Sequence, residues 1–176
     1  MQSYPFIKVK IIADSISQTD GIRLTTFELE YPRYIHAEIM THRVFSRNAQ
    51  SSRAVPVKAQ IERTRLIQVY PIEYGANKAG MSSVDLLDEQ DTDFASNVWY
   101  VLGQVCCDAS ETLNDIGLHK EWSNRVTEPF STIKVVITAT EWDNFFWLRY
   151  DKDAAQPEIV ELARLMQEAM DTTIPD

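Results

Sequence analysis

From Asp91 to Ile116 apolar residues recur at Phe94, Val98, Leu102, Val105, Ala109, Leu113 and Ile116, a helical spacing held over roughly seven turns. A helix of that length is expected to form the spine of the core. On both sides of it the pattern changes to strands. FIKVKIIA (6–13) is β-branched and apolar. LTTFELEY (24–31) sets Phe27, Leu29 and Tyr31 on one face and Glu28 and Glu30 on the other, and TIKVVITAT (132–140) is the most strand-like run of all. DSISQTDG between the first two has turn composition. Further helices are expected from Pro32 to Val44, from Val57 to Leu66, and from His119 to Val126, with Pro129 breaking the chain beyond. Thr140 can cap a helix over TEWDNFFWLR, and Pro157 opens the amphipathic PEIVELARLMQEAM. YPIEYGANKAGMSS reads as a surface loop or lid.

At 176 residues and 44% hydrophobic content the chain suits one domain, 1–176, of mixed α and β structure. A formal net charge of −9 argues against nucleic acid and anionic membranes as partners, so any bound anion needs a local basic site. No apolar run is long enough to span a bilayer, and the N-terminus lacks signal-peptide character, so a cytoplasmic protein is expected. Cys106 and Cys107 are adjacent and close no loop, which argues against a structural disulfide. The three histidines lack zinc-site spacing, so no metal is expected.

Against that acidic background THRVFSRNAQSSR (41–53) gathers Arg43, Arg47 and Arg53 with Ser46, Ser51 and Ser52. Three readings stay open on composition: a solvated turn, a phosphate cradle, or part of an enzyme site. His42 and Arg43 are expected in the last turn of the Pro32–Val44 helix, where cations suit the dipole. Arg125 and Arg149 each lie among apolar neighbours near a helix end. Such a guanidinium requires a carboxylate, a carbonyl or an anionic ligand. Trp142, Phe145, Phe146 and Trp147 can serve as core or as a wall against a planar ring. No Gly-x-Ser-x-Gly elbow, Rossmann fingerprint or Walker loop occurs.

The order of these segments resembles the flavin-dependent thymidylate synthases, also called thymidylate synthase complementing proteins. In that family an Arg-His-Arg triplet leads to a serine, an asparagine and a Ser-x-Arg. Here the series reads Thr41-His42-Arg43, Ser46, Asn48, Ser51 and Arg53 at the same spacings. Arg125 and Pro129 in RVTEP match an arginine four residues before a proline, and ITATEWDNFFWLR matches the next strand-to-helix segment.

The resemblance implies a mostly antiparallel sheet packed against a helical layer, and a homotetramer with sites shared between subunits. It implies methylation of dUMP to dTMP with FAD as cofactor and with NADPH and methylenetetrahydrofolate as co-substrates. By the same resemblance His42, Arg43 and Asn144 contact FAD. Ser51, Arg53 and Arg125 hold the nucleotide phosphate, and Arg149 addresses the pyrimidine, with Arg149 and Ser51 the catalytic pair. The chain departs from the pattern at Thr41, where the triplet's first arginine stands, at Glu38, where a glutamine is common, and at Ala49, where an acid is usual. Asp153 or Ala154 falls where a flavin-contacting histidine is common. The alternatives are modification of another pyrimidine nucleotide, and a nucleotide-binding module that has lost redox chemistry.

Overall fold

A computed structural model of the chain describes residues 4–79 and 85–176. Strand β1 spans Lys8–Ile16 and β2 Arg23–Pro32; a 3-10 turn over Arg33–Ile35 leads into the short helix α1, His36–Met40, and β3 follows at Ser46–Ala49. Helices α2 (Val57–Leu66), α3 (Glu89–Asp115) and α4 (Lys120–Ser123) come next, the last running into a 3-10 segment over Asn124–Phe130. Strand β4 (Thr132–Ala139) and helices α5 (Asp143–Arg149) and α6 (Pro157–Thr172) complete the order. The fold is α+β, with one four-stranded sheet ordered β1-β2-β4-β3 whose β1–β2 and β3–β4 pairs are antiparallel. The chain divides into two compact units that interleave in sequence: Met1–Tyr31, Ile35–Ala49 and Ile133–Asp176 carry the sheet, and Pro32–Tyr34 with Gln50–Thr132 carry the remaining helices.

In the sheet unit the alternation of β2 and β4 is realised directly. Phe27, Leu29 and Tyr31 of β2 and Ile133, Val135, Ile137 and Ala139 of β4 are buried. Helix α6 lies on β1 and α5, and buries Ile159, Leu162, Ala163 and Met166. Each such large side chain removed from water contributes about 1.5–3 kcal/mol. Strand β1 begins later and ends later than its apolar run. Phe6 and Ile7 are buried off the ladder, while Asp14 is kept on it by cross-strand partners. Arg23 donates to both Asp14 oxygens, at 2.9 and 2.6 Å, and the Thr25 hydroxyl donates to Oδ1 at 2.9 Å. These bonds, the Arg23 fork above all, hold the Asp14 carboxyl below its usual range.

The expected helix from Pro32 to Val44 is a correction. It is replaced by the 3-10 turn, the five residues of α1, and a turn that delivers β3 to the β4 edge, where Ser46 faces Thr138 and Ala49 faces Val135. Nothing in Ser-Arg-Asn-Ala alternates, so this strand exists only because β4 offers it unpaired backbone. His42 and Arg43 therefore follow the helix instead of closing it. Helix α5 likewise starts at Asp143 without a Thr140 cap, and the Trp142 indole donates to the Ala139 carbonyl at 3.2 Å.

In the helical unit Val57 and Ile61 of α2 meet Cys107 of α3. The inward stripe of α3 consists of small residues, Gly103, Cys107 and Ser110, which corrects the expected spine. Trp99 packs within the unit, its indole donating to the Val69 carbonyl at 2.8 Å and its ring meeting Phe130, but most of the other large apolar side chains of α3 are exposed. Phe94 is 70% exposed and Val101 55%, with Val98, Leu102 and Val105 close behind. Gly103 leaves room for the Gln68 amide, which donates to the Trp99 and Tyr100 carbonyls at 3.1 and 3.2 Å; a Cβ at 103 would lie 2.2 Å from its nitrogen. The segment read as a loop or lid includes residues 80–84, which lie outside the described residues; before and after them Gly75 and Leu86 form an isolated antiparallel bridge.

Candidate functional site

The arginine at the end of α5 finds three partners in its own unit. Arg149 Nε donates to His42 Nε2 at 3.0 Å, Nη1 to Glu38 Oε2 at 2.9 Å, and Nη2 to the Thr41 hydroxyl at 3.2 Å. Of the partners that the sequence left open for this guanidinium, the carboxylate of Glu38 is realised. One N–H remains on each terminal nitrogen of the five-donor fork. The Thr41 hydroxyl gives its own proton to the Glu38 carbonyl at 2.6 Å, so a lone pair is turned to Arg149.

His42 is 6% exposed, its ring stacked on Phe45 at 5.6 Å and set edge-on to Phe145 at 5.0 Å. Arg47 donates to the His42 carbonyl at 2.6 Å. Because Nε2 accepts from Arg149, the ring proton belongs on Nδ1. Burial first, then the Arg149 and Arg47 cations, push the His42 pKa below 6.5. The neutral ring is the form that fits.

A pH dependence of stability follows. Above about pH 6.5 the ring is neutral in folded and unfolded chains alike; below that value the unfolded chain takes up the proton first. The His42 contribution is therefore present at neutral pH and lost as pH falls through the window between 6.5 and the lowered folded value. Urea titrations at pH 7, 6 and 5 are expected to show stability falling across that range, and falling less in His42→Gln. An equal slope in both proteins would show that the ring is not held neutral. The Asp14 contribution is lost separately, below its ordinary value of 3.8.

Arg43 and Asn144 contrast with His42. Both are exposed, and neither makes a side-chain hydrogen bond or ion pair among the described residues. Asn144 also lines a cavity of about 670 Å³ walled by Trp142 and Phe146 and rimmed by Glu141, Asp143 and Asp171. Phe145 and Trp142 are buried core, whereas Phe146 is half-buried and Trp147 is exposed.

The helical unit holds the other expected residues. Ser51 precedes a 3-10 turn over Ser52–Ala54, and its hydroxyl accepts from the Arg53 backbone at 3.3 Å. The Arg53 guanidinium, 61% exposed, lies 3.4 Å from Glu121. Arg125 lies 3.8 Å from Glu128, with its guanidinium carbon 5.8 Å from the centre of the exposed Trp122 ring. The arginine side chains of these pairs are 61% and 50% exposed, whereas Glu121 and Glu128 are mostly covered, so it is the guanidinium groups that face solvent. Sequence reading missed the residue that holds this segment in place. Buried Asn124 donates to the Ser52 and Val55 carbonyls at 2.8 and 2.9 Å, and Ser52 donates to Glu128 at 2.8 Å. Its only sequence signal is adjacency to Arg125.

Solved proteins share this architecture. Over 93% of this chain and 88% of theirs, it is similar to the UMP/dUMP methylase PolB from Streptomyces cacaoi bound with 5-Br UMP, at a TM-score of 0.72 and 20% identity. Thymidylate Synthase X from Helicobacter pylori, solved with FAD and dUMP, is similar over 84% of this chain and 67% of its own, at a TM-score of 0.58 and 15% identity. At these identities the likeness establishes the fold. No curated protein sequence matches the chain. The family profile described as thymidylate synthase complementing protein matches residues 23–176. Sheet, helices and sequence together define a methyltransferase of the thymidylate synthase kind. The chain belongs to the thymidylate synthase complementing protein family.

Proposed function

We propose that the protein methylates C5 of a uridine monophosphate nucleotide, with dUMP as the leading substrate. The observation that carries this reading is Arg149, whose guanidinium is oriented by three partners yet keeps an N–H on each terminal nitrogen. A fixed cation beside a pyrimidine carbonyl stabilises the negative charge that develops as C5 attacks carbon. Ser51, Arg53 and Arg125 bind the phosphate, which displaces Glu121 and Glu128 from the two arginines. In the net reaction a methyl group replaces the C5 hydrogen. Its carbon comes from methylenetetrahydrofolate and its hydride from NADPH; the C5 hydrogen leaves as a proton, the two folate nitrogens each gain one, and with one proton taken up from solvent tetrahydrofolate and NADP⁺ remain.

FAD, when bound, supplies the hydride-carrying redox chemistry. The open side chains of Arg43 and Asn144 fit such a group, with an amide and a fork available to its polar edges. His42 does not fit as a direct contact, because its ring is enclosed by Phe45 and Phe145 and its Nε2 is engaged by Arg149. Its role here is to orient Arg149. The exposed stripe of α3 supports association with further copies, as a homotetramer would require. No helix among the described residues is long and apolar enough to cross a membrane, which is consistent with a cytoplasmic enzyme.

A second reading takes UMP as the substrate. It is supported by the likeness to a UMP/dUMP methylase and by the altered surroundings of Arg149 at positions 38 and 41. Incubation of the FAD-loaded protein with dUMP or UMP, methylenetetrahydrofolate and NADPH, followed by mass spectrometry, separates the two. A 5-methyl product from dUMP supports the first reading, and one from UMP alone supports the second. Failure with both nucleotides would overturn methylation.

A further inference from the structure

Glu38 and Thr41 are the two partners of Arg149's terminal nitrogens. They act on one guanidinium from one side. Glu38 sits within α1 and Thr41 directly follows it, so a single turn of backbone places a carboxylate and a hydroxyl against the same fork. An arginine at 41 would instead set a second cation beside Arg149 and compete with it for Glu38.

Three features distinguish this arrangement from an ordinary ion pair. All three guanidinium nitrogens are engaged by different residues, so the plane and the rotation of the fork are both set. The Thr41 hydroxyl is itself oriented by the Glu38 carbonyl. The Arg149 and Glu38 side chains are only 20% and 30% exposed, so solvent weakens their contact less than it would at an open surface. Long side chains left free lose rotamer entropy when they bind; this one has lost it beforehand.

We propose that Glu38 and Thr41, with His42 behind them, form a cradle that pre-positions Arg149 toward the pyrimidine, the two acting as a coupled pair of positioning residues. This role rests on the uridine-nucleotide reading above. It assigns to Glu38 a function through Arg149, without contact to substrate.

The test combines dUMP and UMP titration by calorimetry with nitrogen-edited NMR of the arginine Nε–H and Nη–H signals and the histidine ring signals in the full chain. The unsubstituted protein is expected to show an exchange-protected Arg149 Nε–H that shifts as His42 titrates. Glu38→Ala leaves the Nε–H bond to His42 in place and is expected to lose the exchange protection of the Nη1 protons and to bind the nucleotide about tenfold more weakly, the scale of one hydrogen bond to a charged group. Glu38→Gln, which keeps the acceptor oxygen, is expected to recover most of the affinity. Thr41→Val, close in shape, is expected to weaken binding severalfold with the fold intact, and serves where Glu38→Ala fails to fold. Unchanged affinity and unchanged Nη–H protection in both Glu38→Ala and Thr41→Val would overturn the cradle. Absence of nucleotide binding by the unsubstituted protein would overturn the functional reading and the substrate-facing role with it. A missing NMR coupling in a protein that binds nucleotide normally would overturn the cradle alone.

Discussion

Arg149→Ala is expected to lower kcat/KM for the uridine nucleotide about 10²–10³-fold, the effect of removing one donor from a site where charge develops in the transition state. The decrease should appear mainly in kcat, because the guanidinium acts on charge that the ground-state pyrimidine lacks. Folding should survive. The substitution leaves His42 Nε2 without its donor and Glu38 without its cation, at a cost of about 1–3 kcal/mol. The His42 pKa should rise but stay below its ordinary value, because one of the two cations is removed while burial and Arg47 remain. Arg149→Lys should rescue little, since a single ammonium cannot reproduce a planar fork shared among a ring nitrogen, a carboxylate and a hydroxyl. Turnover by the alanine variant at the unsubstituted rate would remove Arg149 from the chemistry and leave it a structural ion pair.

Phe145→Ala should produce the largest loss of stability, about 3–5 kcal/mol, the range for deleting a buried aromatic side chain. Phe145 is 2% exposed and its ring meets Phe45 at 5.4 Å, Phe146 at 5.6 Å and His42 at 5.0 Å. The deletion also opens one wall of the imidazole. Water reaching the ring would weaken the burial that is the main cause of the lowered His42 pKa, so that value should move toward 6.5. Phe145→Leu should cost less and shift the ring less. Denaturant midpoints for stability and NMR titration for the histidine check both parts. A loss below about 1 kcal/mol would mean that the neighbouring rings close over the cavity.

How much of this was legible beforehand depended on how local the cause was. TIKVVITAT and PEIVELARLMQEAM appear nearly as read, because a period of two or of three to four states which face is apolar without reference to any other segment. Helix α2 was read at its exact limits, Val57–Leu66, between a proline and the end of its pattern. Ser-Arg-Asn-Ala was not legible as a strand, since its pairing is a property of the β4 edge. The orientation of α3 was not legible either. Its periodicity identified a helix with one large apolar face, and close packing with α2 selected instead the side of Gly103, Cys107 and Ser110, whose small side chains permit close approach.

The site divides in the same way. THRVFSRNAQSSR, RVTEP and DNFFWLR carried enough spacing to suggest a family and a set of arginines, and the family profile over residues 23–176 supports that membership. Spacing could not say that Arg149 would be met by Glu38 and Thr41, or that His42 would turn inward between two phenylalanines. By itself the sequence determined the types of the strongly periodic elements, the acidic background against which the arginines stand out, and the family. Tertiary structure alone decided which side chains complete the Arg149 cradle and which face of α3 is left open. The physical reason is that propensity and periodicity act within a few residues, whereas a guanidinium's partners are chosen by whatever acceptors the folded chain brings within 3 Å or so of its nitrogens.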